Sequence, residues 1–243
     1  ENIKDGSISQ ARLDLSARRV LKPMFQLGMF ENPYVDPERA KSVVASPKFV
    51  EAGHRAQVRS VVLLKNDNNV LPLAASKRVY LENVARESLA GYATAVETPK
   101  DADLAIIKIS TPAIVYPFGG TFFGRGPVGP VQTVLGNTLA YEGSANQKEL
   151  EAVRRLAATG VPTLVIVNMD RPAILTEFID SVAAVIAGFS VTDRALMDVV
   201  FGKHNPTGKL PYNLPYDMPS VMANAEDASH DIAQPLFKFG FGL

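Results

Sequence analysis

The chain has 243 residues, 47% of them apolar and 21% charged, a balance that supports a packed core and argues against disorder. Lys+Arg and Asp+Glu both number 25, so the net charge is +0 and the basic face of a nucleic-acid binder is not expected. An apolar run of about 18 residues, which a membrane span needs, is absent, and without cysteine neither disulfides nor thiolate metal sites can form.

The opening stretch, ENIKDGSISQARLDLSARRVLKPMF, has neither the apolar core nor the small-residue cleavage site of a signal peptide, and it reads as the inside of a larger protein. Leu13, Ala17, Val20, Leu21, Met24 and Phe25 fall at helical spacing and predict a helix over roughly residues 9–27, ended by Gly28. MFENPYVDP (29–37) is bounded by prolines and reads as an extended linker with little regular structure. Ser46-Pro47 opens a helix running to about Ser60, with proline at its favoured first position.

Beyond that helix, short apolar runs alternate with helical patterns. Strands are predicted at 61–64, 79–84, 104–110 (LAIIKIS), 163–168 (TLVIVN) and 182–187 (VAAVIA). Helices are predicted at 87–93, 146–159, from Pro172 to Phe178, and at 192–201. Buried strands alternating with helices predict an α/β fold, a three-layer sandwich with a mostly parallel sheet between helices, preceded by a helix and an extended linker. Gly202 stops the last helix, Asn205-Pro206-Thr207-Gly208 turns, and Pro211 and Pro215 hold the chain extended.

Ligands of open parallel sheets meet the loops at the carboxyl ends of the strands. Three such loops follow LAIIKIS, TLVIVN and VAAVIA. The first, 111–143, is long enough to suggest function. Its aromatics Tyr116, Phe122, Phe123 and Tyr141 suit stacking on a sugar or a domain interface, and they are the candidate substrate contacts. Gly124-Arg125-Gly126-Pro127-Val128-Gly129 matches a dinucleotide string, but Pro127 and Pro130 prevent the glycines from opening a helix onto a phosphate. Gly202 to Lys209 is one residue too long for a phosphate loop, and Leu210 replaces the required hydroxyl. The carboxylates of these loops are Glu142, Asp170 and Asp193, each a candidate for acid/base work. Each also has a plainer reading: Glu142 as a solvated loop acid, Asp170 as the ion-pair partner of Arg171, and Asp193 as a first-turn helix acid. His54, His204 and His230 show no metal-ligand spacing, so neither a metal nor a cofactor is expected.

Five segments in one order resemble the C-terminal part of family 3 glycoside hydrolases of the β-glucosidase type. They are LGMFENPYVDP (27–37), SVVLLKNDNNVLPL (60–73), PTLVIVNMDRPAIL (162–175), DVVFGKHNPTGKLPYNLP (198–215) and PLFKFGFGL (235–243), and they cover the chain almost end to end. The resemblance implies that residues 1–28 end a catalytic (β/α)8 barrel, that 29–45 are a linker, and that 46–243 form a C-terminal α/β sandwich. It implies retaining hydrolysis of terminal β-linked sugars, with β-glucosides favoured, by two carboxyl groups about 5–5.5 Å apart. The resemblance places the nucleophile in the barrel, outside this chain. One subgroup carries its acid/base glutamate after the strand matching VAAVIA, where this chain has GFSVTD and no glutamate. Another carries it in an EG-containing loop after the strand matching LAIIKIS, where Tyr141-Glu142-Gly143 makes Glu142 the candidate. The implied partners are the barrel, as a domain or a separate chain, and a carbohydrate; a homo-oligomer stays open, and a periplasmic or secreted location is favoured over the cytoplasm if an export signal lies upstream. The alternative is a scaffold or dimerisation domain that only buttresses the barrel.

Overall fold

The computed structural model describes residues 5–75, 77–112, 138–225, 228 and 231–243. It divides into two compact units, Glu1–Glu51 and Ala52–Leu243.

In the first unit, helix α1 (Gln10–Gln26) begins where expected, because the Ser9 hydroxyl accepts the Arg12 amide N–H and satisfies one of the orphan donors of a helix start. A second helix, α2 (Pro37–Val43), lies inside the stretch read as an irregular linker. Its signal was present in Asp36-Pro37: the Asp36 carboxylate accepts the amides of Glu38 and Arg39, and proline takes the first helical position, where no N–H is needed. Helix α3 (Pro47–Ser60) follows and carries the chain into the second unit.

The second unit is built on six strands: β1 (Val62–Asn66), β2 (Arg78–Glu82), β3 (Thr94–Val96), β4 (Leu104–Ser110), β5 (Thr163–Asn168) and β6 (Ala184–Gly188). Their order is β1-β6-β5-β4-β2-β3, parallel throughout except for β1, which runs antiparallel on β6. Successive side chains of a strand point to opposite faces. In β4, Ala105, Ile107 and Ile109 therefore join one apolar layer, while Leu104 and Ile106 join the other. The first layer is closed by Leu150, Val153 and Leu156 of α4 (Gln147–Ala157), the second by Ala195, Leu196, Val199 and Val200 of α5 (Asp193–Val200) together with Val58 of α3. This is why the strands read as unbroken apolar runs: both faces are covered. The expected three-layer α/β sandwich is present, and the chain continues into a small β7 (Leu214–Pro215) and β8 (Pro235–Phe237) pair and a short α6 (Met218–Met222).

The punctuated segment after α5 is fixed by close backbone approach. Gly202 ends the helix with φ +71°, and a Cβ there would lie 2.8 Å from Cβ of Pro72. Gly208 passes so near the start of β1 that a Cβ would sit 2.5 Å from the Val61 carbonyl oxygen, to which the Gly208 amide itself donates at 3.1 Å. Leu210 then exchanges backbone bonds with Gly240 and Phe241, and the Lys209 ammonium donates to the Gly242 carbonyl.

Two helix expectations fail. Residues 87–93 form only a 3-10 turn over Arg86–Leu89. Residues 172–178 are not helical: the Ile174 amide donates to the Leu139 carbonyl, and Ala173, Ile174 and Leu175 are buried in succession rather than on one helical face.

Candidate functional site

The carboxyl ends of β4, β5 and β6 lie side by side, with Ser110, Asn168 and Gly188 in register. The loop after β4 leaves through Thr111 and Pro112 and returns at Thr138. Candidates Tyr116, Phe122 and Phe123 lie outside the described residues.

The return, 138–144, is held by the segment that follows β5. The Arg171 guanidinium donates from Nε to the Pro112 carbonyl and from Nη2 to the Thr138 carbonyl, both at 2.8 Å. The Ile174 amide donates to the Leu139 carbonyl at 2.9 Å. The Glu177 carboxylate accepts two amides, Tyr141 N–H on Oε2 at 2.6 Å and Glu142 N–H on Oε1 at 2.9 Å. The sequence predicts a pairing of Arg171 with its neighbour Asp170; Nε and Nη2 of Arg171 bond the loop carbonyls. The sequence gives no sign of Glu177 and marks Arg171 only as a neighbour for Asp170, because side-chain bonds to main chain more than 30 residues distant leave no periodic or motif signal.

Tyr141 and Glu142 are adjacent but face opposite environments. The Tyr141 ring is fully buried, its edge against Phe178 with centroids 5.8 Å apart, so it offers no face to solvent. Burial pushes its phenol well above the ordinary tyrosine value, with the charges of Glu149 and Glu177 adding to the effect. Its hydroxyl has no hydrogen-bond partner among the described residues. The Glu142 side chain is 61% exposed, and its Oε2 accepts from Nη1 of Arg154 on α4 at 2.9 Å.

The loop after β6 is built differently. Ser190, with φ +54°, donates its amide to the Asn168 side-chain oxygen at 3.0 Å. Thr192 caps α5 and also donates both its amide and its hydroxyl to Oε1 of Gln57. Asp193, the first residue of α5, accepts from the Lys108 ammonium at 2.7 Å across the sheet's end. The Asp193 carboxylate is thus held by a partner as well as by the helix end.

A second polar cluster escaped the sequence reading. Asp198, only 4% exposed on α5, accepts from Nε2 of His54 on α3 at 2.8 Å and from the Tyr92 hydroxyl at 2.5 Å, with the Lys203 ammonium 3.4 Å from the same oxygen as Tyr92. Burial alone would push this carboxyl up, but Tyr92, His54 and Lys203 together bring it below the ordinary aspartate value. Among the described residues, His54, Asp198 and His204 are groups of metal-ligand type whose atoms lie within 4.8 Å of one another. Both Asp198 oxygens are already engaged, and the Lys203 ammonium occupies the space over the Tyr92 ring, 3.9 Å from its centroid. The cluster is therefore a hub joining α3, the β2–β3 connection and α5, with a resident cation of its own. Its one sequence signal is a charged residue in the apolar run RALMDVVF.

Among the described residues, no helix is long and apolar enough to cross a membrane.

Residues 80–243 match the model of the glycosyl hydrolase family 3 C-terminal domain. The chain is 38% identical over 247 residues to a periplasmic β-glucosidase/β-xylosidase of Dickeya chrysanthemi, aligning 99% of itself with 35% of that protein. It is 36% identical over 246 residues to β-glucosidase C of Emericella nidulans, again over 99% of itself and 37% of the relative. A β-glucosidase structure from Erythrobacter marinus superposes on the whole chain and 41% of its own length, with a TM-score of 0.68 at 18% identity. The chain thus spans little more than a third of the length of these curated relatives.

Proposed function

The chain belongs to glycosyl hydrolase family 3, whose C-terminal domain model it matches over 80–243, and from that premise we propose that it is the C-terminal part of a retaining β-glycosidase that completes an active site over a (β/α)8 barrel. In this reading residues 1–28 end the barrel, 29–45 connect, and 46–243 are the sandwich. The substrate class is a terminal β-linked sugar, with β-glucosides favoured by the names of the relatives and β-xylosides next. A periplasmic or secreted location accords with the name of the Dickeya relative, a periplasmic enzyme.

The observation that carries the reading is the placement of Glu142. It stands on the return of the β4 loop, at the sheet edge where parallel α/β folds meet their ligands. Its backbone is anchored, its carboxylate is exposed, and the β6 loop has no glutamate to compete for the role.

Retaining hydrolysis assigns the steps as follows. The barrel nucleophile attacks the anomeric carbon while the acid, Glu142, gives its proton to the leaving-group oxygen as the glycosidic C–O bond breaks. The resulting carboxylate then takes a proton from water as that water displaces the nucleophile from the sugar. In the structure the Glu142 carboxylate accepts from Arg154, so in this role it turns from that guanidinium toward the substrate. The isolated chain holds at most one of the two carboxyl groups and is expected not to turn over a glycoside.

The test is Glu142→Ala in a complete enzyme carrying this chain. Loss of activity on glycosides with poor leaving groups, with azide restoring turnover of an activated aryl glycoside by replacing water in the second step, is the expected result. Near-normal turnover would remove Glu142 from the reaction.

A second reading draws on the same residue. The exposure of Glu142 and its bond to Arg154 also suit a surface ion pair on a domain that only buttresses the barrel or a second copy of the chain. Under that reading Glu142→Ala leaves turnover unchanged, and removing the sandwich surface alters oligomeric state or stability instead.

A further inference from the structure

We propose that Arg171 and Glu177 are positioning residues that together fix where Glu142 is presented. The proposal rests on the reading of Glu142 given above and concerns how the chain holds that residue in place.

The two side chains leave one short segment, 171–177, and have opposite hydrogen-bonding chemistry. The guanidinium carries donors only, and it takes the carbonyls of Pro112 and Thr138 on two nitrogens. Pro112 lies two residues beyond the end of β4, and Thr138 precedes Leu139, Ala140 and Tyr141 on the return. The carboxylate accepts on both oxygens, and it takes the amides of Tyr141 and of Glu142 itself. Between them the Ile174 amide pairs with the Leu139 carbonyl. The return is therefore bonded along its length by one neighbouring segment, and Glu142 is the last residue so held before the side chain turns outward.

Charged side chains on neutral peptide groups make stronger hydrogen bonds than neutral pairs. The segment behind them cannot shift easily, since Ala173, Leu175 and Phe178 are buried in the core layer closed by α4, and Tyr141 is buried there too. Arg154 meets the Glu142 carboxylate from α4, a different element, and it bonds the side chain rather than the backbone. The three residues thus separate two tasks: Arg171 and Glu177 set the place of the backbone, and Arg154 parks the carboxylate.

Each residue has a near-isosteric substitution that breaks half of its geometry. Glu177→Gln keeps one oxygen and turns an NH2 toward an amide N–H, so one of the two amides loses its acceptor. Arg171→Lys keeps the charge but replaces the fork by a point donor that does not span both carbonyls.

The experiment measures kcat and KM of a complete enzyme on paired aryl glucosides, one with a poor leaving group that needs a proton donor and one with an activated leaving group that does not. The variants are Glu177→Gln, Arg171→Lys and Glu142→Ala, with thermal midpoints recorded alongside. For Glu177→Gln and Arg171→Lys, kcat/KM is expected to fall on the order of 10- to 100-fold on the poor leaving group and to be largely spared on the activated one, where kcat and KM fall together because Glu142 also serves as the base of the second step. A merely structural role would lower kcat/KM on both substrates together or lower only the thermal midpoint, and that result overturns the proposal. If Glu177→Gln fails to fold, Arg171→Lys decides by the same leaving-group ratio. Wild-type ratios in both variants, with Glu142→Ala impaired and azide-rescued, overturn the positioning role alone. Wild-type turnover in Glu142→Ala overturns the reading of Glu142 and the positioning role with it.

Discussion

Asp198 and Glu142 are both carboxylates paired with cations, and they stand in opposite situations. Asp198 is 4% exposed and has donors from three separate elements in His54, Tyr92 and Lys203. Glu142 is 61% exposed and has one partner, Arg154, itself half exposed. A buried carboxylate whose oxygens are filled holds elements together and cannot be released without a large loss of stability. An exposed one with a single solvent-screened partner contributes little to stability and can exchange that partner for another. The contrast separates the residue that maintains the sandwich from the residue proposed to act on a substrate.

The largest effect that could break this contrast is on activity. Glu142→Ala in the complete enzyme is expected to reduce kcat/KM on poor-leaving-group glycosides by on the order of 10²- to 10⁴-fold, measured by steady-state kinetics with and without azide. Its unfolding midpoint should remain close to wild type.

Asp198→Ala should do the reverse. Removing the shared acceptor leaves the buried His54 and the Tyr92 hydroxyl without it, while the exposed Lys203 ammonium turns to solvent, and denaturant titration is expected to show a loss of about 2–4 kcal/mol. The acid side of the profile sharpens the point. Because its donors hold the folded carboxyl below the ordinary value, the Asp198 contribution is fully present above the unfolded value of about 3.9. It is lost as pH falls through the folded value. Wild type should therefore lose more stability than Asp198→Asn when melted at successively lower pH below about 4; parallel profiles would contradict the assignment.

Gly208→Ala comes next, since a Cβ there would sit 2.5 Å from the Val61 carbonyl oxygen. The crowding should cost about 1–3 kcal/mol by chemical denaturation, and a neutral result would show that the segment can move off β1. The smallest effect belongs to Arg154→Ala. Its surface pair with Glu142 should be worth less than about 1 kcal/mol, and that little should fade with added salt. A large loss would place Glu142 with Asp198 as a structural residue.

What could be read in the sequence followed from short-range rules. LAIIKIS, TLVIVN and VAAVIA announced strands covered on both faces, because no polar residue breaks their apolar runs except Lys108, near the strand end. Ser9 and Pro47 marked helix starts, and the family was legible in segments such as FGKHNPTGKLP. The helix expected over 172–178 does not form: Ala173, Ile174 and Leu175 are buried in succession, which a single apolar helix face does not provide, and the Ile174 amide pairs with Leu139. Asp36-Pro37 carried a helix signal that the surrounding prolines obscured.

The sequence by itself determined the α/β class, the parallel strands, the absence of thiol chemistry and the family, since periodicity, turn residues and motif order are properties of neighbours along the chain. Only the tertiary structure decided which charged residues stand together. It separated Tyr141, buried against Phe178, from Glu142, turned out to Arg154, and it gathered His54, Tyr92 and Lys203 around Asp198. It also brought Arg171 and Glu177 onto the return that carries Glu142. Hydrogen bonds and desolvation act between groups that folding brings within about 3 Å, and the sequence separation of those groups records nothing of that distance.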